Sequence, residues 1–216
     1  MRITQVIGVI GVSCVLGVGC ASSGRSEPDT YVVRPKDTLY SVAWRHDLDY
    51  HDLARWNHIG TDYRISVGQV LVLKPGASGT PAAPSSAGKL AGMPGESMRW
   101  FWPTERSTPP RPVPGGGILL LGQVGQVVRA ACAGRVVYVG NGLRGYGNLA
   151  IIKHGDNLLS AYAHNSELSV HEGQDVTGGE PMGRMGTGPH QIAALYFEIR
   201  FNGKPVDPLP YLANAK

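Results

Sequence analysis

Apolar and polar positions along the chain fall into two blocks with different periods. In the first, Tyr31-Val32-Val33 is a short β-prone run. Leu39, Val42 and Ala43 follow at i, i+3 and i+4, and Leu53 and Trp56 share one face of a second helical stretch. Asp37-Thr38 and Asp49 stand where helix N-caps are needed, and Asn57 where the second helix should stop. Val67-Gly68-Gln69 then turns the chain into Val70-Leu71-Val72-Leu73. The spacing predicts strand, helix, helix, strand over 30–74, a small α+β unit with little core of its own.

The second block, about 98–216, reads as strands and turns. Gln126–Ala130, Gly134–Val139, Leu149–Lys153, Leu158–Ala163 and Leu195–Phe201 are the strand candidates. Asn141-Gly142 is a hairpin-type signal, and His154-Gly155-Asp156-Asn157 separates two apolar runs. Val124-Gly125-Gln126 and Glu172-Gly173-Gln174 each suggest a Gly-Gln turn entering a strand. A mainly antiparallel β domain, sandwich or open barrel, is expected. Between the blocks, 75–97 is rich in Pro, Ala, Gly and Ser and has no apolar period, so a flexible spacer is expected.

The N-terminus adds a targeting signal. Arg2 precedes an apolar run, Val6 to Gly19, that ends at Cys20 and is short for a membrane span. Residues 1–19 are expected to be an export signal and 20–29 a polar tether. Cys20, followed by Ala21, Ser22, Ser23 and Gly24, resembles the lipidated first residue of bacterial lipoproteins. Gly17 stands where that pattern prefers Leu, and Cys14 is a rival; plain cleavage is the alternative. Ala21 after the Cys resembles outer-membrane sorting. With Cys14 and Cys20 assigned to processing, Cys132 has no disulfide partner, and its Ala-rich surroundings suggest a buried thiol. The net charge is +4 and neither block carries a dense basic patch, which disfavours nucleic-acid binding.

The pattern over 30–74 resembles the LysM domain. The resemblance implies binding of N-acetylglucosamine-containing glycan, and thus peptidoglycan, between the loops Asp37, Thr38, Leu39 and Ile65, Ser66, Val67, Gly68, Gln69. Lys36 stands where that family usually has Gly. Ala133–Tyr138, Gly145-Tyr146-Gly147-Asn148, Ile152–Gly155, Tyr162-Ala163-His164-Asn165, Phe197–Arg200 and Gly203–Leu209 resemble the lysostaphin-type (LytM) zinc metallopeptidases, a duplicated-hybrid-motif-like β fold. A catalytic zinc needs three protein ligands and an open position for water. The family's His-x-x-x-Asp slot falls on Gly115 and Leu119, and its His-x-His slot on Ala194-Leu195-Tyr196. Only His164 matches a family catalytic position. His154, His171 and His190 show no metal-ligand spacing. The resemblance thus implies a degenerate, non-enzymatic domain with no cofactor, and a more apolar groove formed by Gly115, Leu119, His164, Ala194 and Tyr196.

Lipid anchor, LysM unit, spacer and ligand-less LytM unit together resemble the NlpD-like murein hydrolase activators. That resemblance implies peptidoglycan, a periplasmic N-acetylmuramoyl-L-alanine amidase and a membrane, through Cys20, as partners. It also implies a role in cell separation or wall remodelling. A structural wall-binding lipoprotein without an enzyme partner is the alternative, and an active endopeptidase a third.

Overall fold

The computed structural model describes residues 30–74, 98–155, 157–213 and 215. The export signal, Cys20, the tether and the spacer at 75–97 lie outside the described residues.

The first unit is built in the expected order: β1 (Thr30–Val32), α1 (Leu39–Arg45), α2 (Tyr50–Trp56) and β2 (Val70–Val72), with β1 antiparallel to β2. Thr38 caps α1 in a reciprocal capping box with Ser41, and the Asp49 carboxylate accepts from the His51 and Asp52 amides at the start of α2. Leu39, Val42, Ala43 and Leu53 are buried, whereas Trp56 is only half-buried. Lys36, at the position where Gly was expected, has φ 68, a left-handed conformation that glycine adopts without strain.

The second unit contains β3 (Arg111–Pro112), β4 (Ile118–Leu121), β5 (Val127–Arg129), β6 (Gly134–Gly140), β7 (Asn148–His154), β8 (Leu158–Leu168), β9 (Asp175–Val176), β10 (Pro181–Met185), β11 (Ala194–Phe201), β12 (Lys204–Val206) and the short helix α3 (Leu209–Leu212). Its main path runs β3-β4-β11-β8-β7-β6-β9, and all pairings are antiparallel. The link from β6 to β7 is not a tight Asn141-Gly142 hairpin. It is a longer loop, held where the Gly142 amide donates to the Tyr138 hydroxyl at 3.0 Å. That bond satisfies the amide outside the ladder, so the strands need not close on it.

One local device recurs in both units. In Ser66–Gln69, Gln123–Gln126 and His171–Gln174, the last residue's amide donates to the first residue's carbonyl. The same Gln side-chain oxygen accepts from the first residue's amide. The third residue is Gly68, Gly125 or Gly173, with φ of 85, 83 and 84, so the turn requires glycine there. The Gly-Gln turns are thus fixed by three or four residues of sequence.

Both faces of the sheet carry apolar side chains. Ile118, Leu120, Val136, Ile152, Tyr162, Leu195, Phe197 and Ile199 form a core with Trp100, Cys132 and Tyr211 on one side. Cys132 is buried as expected, and burial pushes its thiol pKa up. On the other side Leu149, Ile151, Leu159, Ala161 and Ala163 belong to the same cluster as Leu39, Val42, Trp44 and Leu53 of the first unit. The two units are therefore not separate bodies. The small unit completes its core on the back of the large one, which resolves its shortage of apolar surface.

His154 sits in the first core, fully buried, with Nδ1 2.7 Å from the Ala133 carbonyl and Nε2 2.6 Å from the Ser160 hydroxyl. Burial lowers its pKa from 6.5 to about 4. Between those values the unfolded chain binds a proton that the folded protein does not. The neutral imidazole therefore supports folding above about pH 6.5, and that support is lost as the pH falls toward 4. An NMR titration of the His154 ring should give a midpoint near 4; a midpoint above 6 would contradict this assignment.

Candidate functional site

Register brings the expected groove residues together. On β11 the side chains of Ala194, Tyr196, Glu198 and Arg200 share one face, and Tyr196 lies directly between Leu119 of β4 and Ala163 of β8. His164 follows Ala163, and its ring centroid is 6.2 Å from that of Tyr196. Leu119, His164 and Tyr196 are half-buried and so reachable from solvent, but Ala194 is buried and contributes to the floor rather than to a contact surface. Gly115 lies in the exposed loop before β4, where Gly115, Gly116 and Gly117 all have positive φ.

That glycine run lets the loop close over the tyrosine. A Cβ on Gly117 would lie 2.7 Å from the Tyr196 hydroxyl oxygen. The hydroxyl is 2.9 Å from the Gly116 carbonyl and 2.7 Å from Glu198 Oε2, so its single proton is shared between two acceptors. Burial first, then the Glu198 charge, raises the Tyr196 pKa, and the phenol stays protonated.

His164 has φ 64 and is held by two backbone bonds: its amide donates to the Tyr146 carbonyl and its carbonyl accepts from the Gly186 amide, both at 2.8 Å. Burial lowers its pKa, so the ring is neutral near pH 7. Gly147, Gly188 and the Tyr196 ring lie beside it. His154 is enclosed in the core, and His171 and His190 are exposed, His190 two residues beyond the Gly188 that packs against the His164 ring. Among the described residues no three His, Cys, Asp or Glu side chains come together in a metal-binding group. The donor set at this position, one imidazole beside a hydrogen-bonded phenol and a leucine, does not fit a catalytic zinc.

The expected glycan loops come to the surface on the first unit, with one exception. Asp37, Thr38, Ile65 and Ser66 line a cleft, Gly68 and Val67 are exposed at its turn, and Gln69 braces that turn. Leu39 is fully buried, so its side chain serves the core and not a sugar.

Sequence reasoning missed the polar spine beneath Tyr196. Glu198 Oε1 accepts from Arg200 Nε at 2.6 Å, and the two side chains are 2% and 5% exposed. Arg200 Nη1 donates to the Trp44 carbonyl at 3.0 Å and lies 2.9 Å from Asp47 Oδ1, while its guanidinium stacks 3.9 Å from the Trp44 ring centroid. Tyr146 joins them, edge-on to both Trp44 and Tyr196. Lys204 Nζ donates to the Asp47 carbonyl at 2.9 Å. The groove is thereby connected, group by group, to the first unit. The one available signal was period two: Tyr196, Glu198 and Arg200 alternate with Leu195, Phe197 and Ile199, so a polar face was legible but not its cover.

A family model described as LysM domain matches residues 31–74, and one described as Peptidase family M23 matches residues 114–208. The chain is 38% identical to the lipoprotein NlpD/LppB homolog of Pseudomonas aeruginosa over 94% of its own length and 84% of that protein. The chain belongs to the NlpD/LppB family. It is also 37% identical to the lipoprotein YgeR of Escherichia coli (94% of this chain, 92% of that one). It is 34% identical to the murein hydrolase activator NlpD of the same organism (90% and 70%). A crystal structure of a peptidase M23 from Pseudomonas aeruginosa superposes with a TM-score of 0.50 at 24% identity, over 58% of this chain and 54% of that one, and shows the shared fold. The polar spine and the glycine-capped Tyr196 are thus features of this NlpD/LppB member's M23-type domain.

Proposed function

We propose that this chain is an envelope lipoprotein that binds peptidoglycan through residues 30–74 and activates an N-acetylmuramoyl-L-alanine amidase through its metal-free M23 groove. The observation that carries the reading is the occupancy of the peptidase slots. Leu119 and Tyr196 are cross-strand neighbours, and the phenol is tied to Gly116 and Glu198 where a hydrolase needs ligands. Relatives 34% identical to this chain bear the name murein hydrolase activator, which supports a role exerted on a hydrolase. The LysM match supports peptidoglycan binding. Lipoprotein names among the relatives support lipidation at Cys20, and the name outer membrane antigenic lipoprotein B of one of them supports the outer membrane.

Mechanistically, the protein need only bind the open form of the amidase more tightly than the closed form. Leu119 and the Tyr196 and His164 rings offer an apolar strip with polar edges, a surface suited to a helix or an extended segment. The groove is built from β4, β8 and β11 rather than from loops around an ion, so it keeps its shape without metal.

Calorimetric titration of the purified protein with a purified periplasmic N-acetylmuramoyl-L-alanine amidase tests the partner. A saturable one-to-one complex is expected. Heat no greater than dilution for every amidase of the organism would leave a structural wall-binding lipoprotein as the better reading.

A further inference from the structure

Docking of the two units creates a second cleft, away from the M23 groove. It has a volume of about 1300 Å³, and both units line it. One wall is the first unit's loop surface, with Thr38, Tyr40, Tyr63 and Ser66. The other is the β6–β9 edge of the M23-type unit, with Arg135 and Asp175, together with Lys153 of β7 and Glu172 of the loop before β9. We infer that this cleft is a composite peptidoglycan site, in which the first unit holds the glycan and the β6–β9 edge receives the charged peptide stem. This inference rests on the wall-binding reading above and extends it across the domain boundary.

Three observations carry it. The first is size: a drug-sized ligand fills roughly 300 to 1,000 Å³, so this cleft suits an oligomer with branches better than one sugar. The second is the chemistry of the walls, with aromatic rings on the first only. On the first wall Tyr40 and Tyr63, with ring centroids 5.7 Å apart and packed over the buried Tyr50, stand next to the Thr38 and Ser66 hydroxyls, and Asp37, Asp62 and Arg64 complete the lining. Flat rings and short hydroxyls suit the apolar faces and hydroxyl rims of sugars. The second wall is ionic and of mixed sign. Arg135 and Asp175 face each other across β6 and β9 in a two-pronged pair at 2.7 and 2.8 Å, and both side chains remain largely exposed. Glu172 and Lys153 flank them. A wall peptide bearing both carboxylates and a free amine is matched by such a strip, whereas a bare glycan is not.

The third observation is that the walls are fixed relative to one another. The Lys153 ammonium lies 6.0 Å from the Tyr50 ring centroid, across the boundary between the units. The Arg200–Asp47 contact and the Lys204–Asp47 hydrogen bond clamp the units. Gly203 lets the backbones meet, since a Cβ there would overlap the Leu48 carbonyl oxygen. A cleft whose walls are pre-set avoids the ordering cost that two tethered modules would meet on binding.

The test compares two soluble probes on the full protein by NMR titration. One is a muramidase-released tetrasaccharide with its peptide stems intact; the other is the same tetrasaccharide stripped of stems. The stem-bearing probe should bind about ten-fold more tightly, with shifts on both walls. Arg135→Gln/Asp175→Asn removes an exposed pair that contributes little to folding, and it should erase that preference. Asp47→Lys, which sets a cation against Arg200 and loosens the clamp, should erase it as well. Equal affinity of the unaltered protein for both probes would overturn the composite site and leave glycan binding by 30–74 standing. So would a preference that survives either variant. Failure to bind either probe would remove the wall-binding reading itself, and this inference with it.

Discussion

Replacing Arg200 by Met should destabilise the protein by about 3 kcal/mol, because it leaves the Glu198 carboxylate buried without its cation. Glu198 is 1% exposed and takes its shortest bond, 2.6 Å, from Arg200 Nε. The same substitution removes the donor to the Trp44 carbonyl and the partner of Asp47. Urea unfolding should report the loss, and hydrogen exchange over 44–48 should accelerate as the first unit lifts. The double variant Glu198→Leu/Arg200→Met separates the causes. With neither charge left to bury, it should recover most of the stability while exchange over 44–48 stays fast. Equal destabilisation in the single and double variants would show that packing, not the orphaned charge, sets the cost.

Amidase stimulation should fall at least about ten-fold when a charge is placed on the apolar strip of the groove, since an unpaired charge there must be desolvated on docking. Tyr196→Asp is the direct variant, but it sits within reach of Glu198 and alters the polar spine as well. Leu119→Lys is the cleaner one, because Leu119 is half-buried on β4 beside Tyr196 and makes no side-chain hydrogen bond. Tyr196→Phe keeps the ring and deletes only the hydroxyl, so stimulation should persist while stability drops by about 1 kcal/mol. Full stimulation by Leu119→Lys, in a variant with an unchanged unfolding midpoint, would remove the groove from the mechanism.

Local order was readable wherever a few neighbouring residues decide it. The Thr38 and Asp49 caps, the Gly-Gln turns and the strand cores at 134–139, 149–153 and 195–201 all follow from spacing and turn chemistry. Register sets the slots on β4 and β11 side by side although they are distant in sequence. Side-chain accessibility did not follow: Leu39 and Ala194 belong to the interior, and period alone cannot say which half-apolar face is covered. The least legible feature was the docking of the units. Trp44 and Arg200 are 156 residues apart, and nothing local to either marks the other. A polar face on β11 reads as solvent-facing until a second body is placed over it. The proline- and glycine-rich segment at 75–97 suggested independence, but buried area on 149–163 holds the units together.

Dye release from labelled sacculi tests the central claim most directly. The protein is assayed alone, alone with added zinc, and with a purified N-acetylmuramoyl-L-alanine amidase. No release is expected in the first two arms, and release well above that of the amidase by itself in the third. Release by the protein alone once zinc is supplied would contradict the account, since a phenol, a leucine and one neutral imidazole would then have to hold a working metal ion.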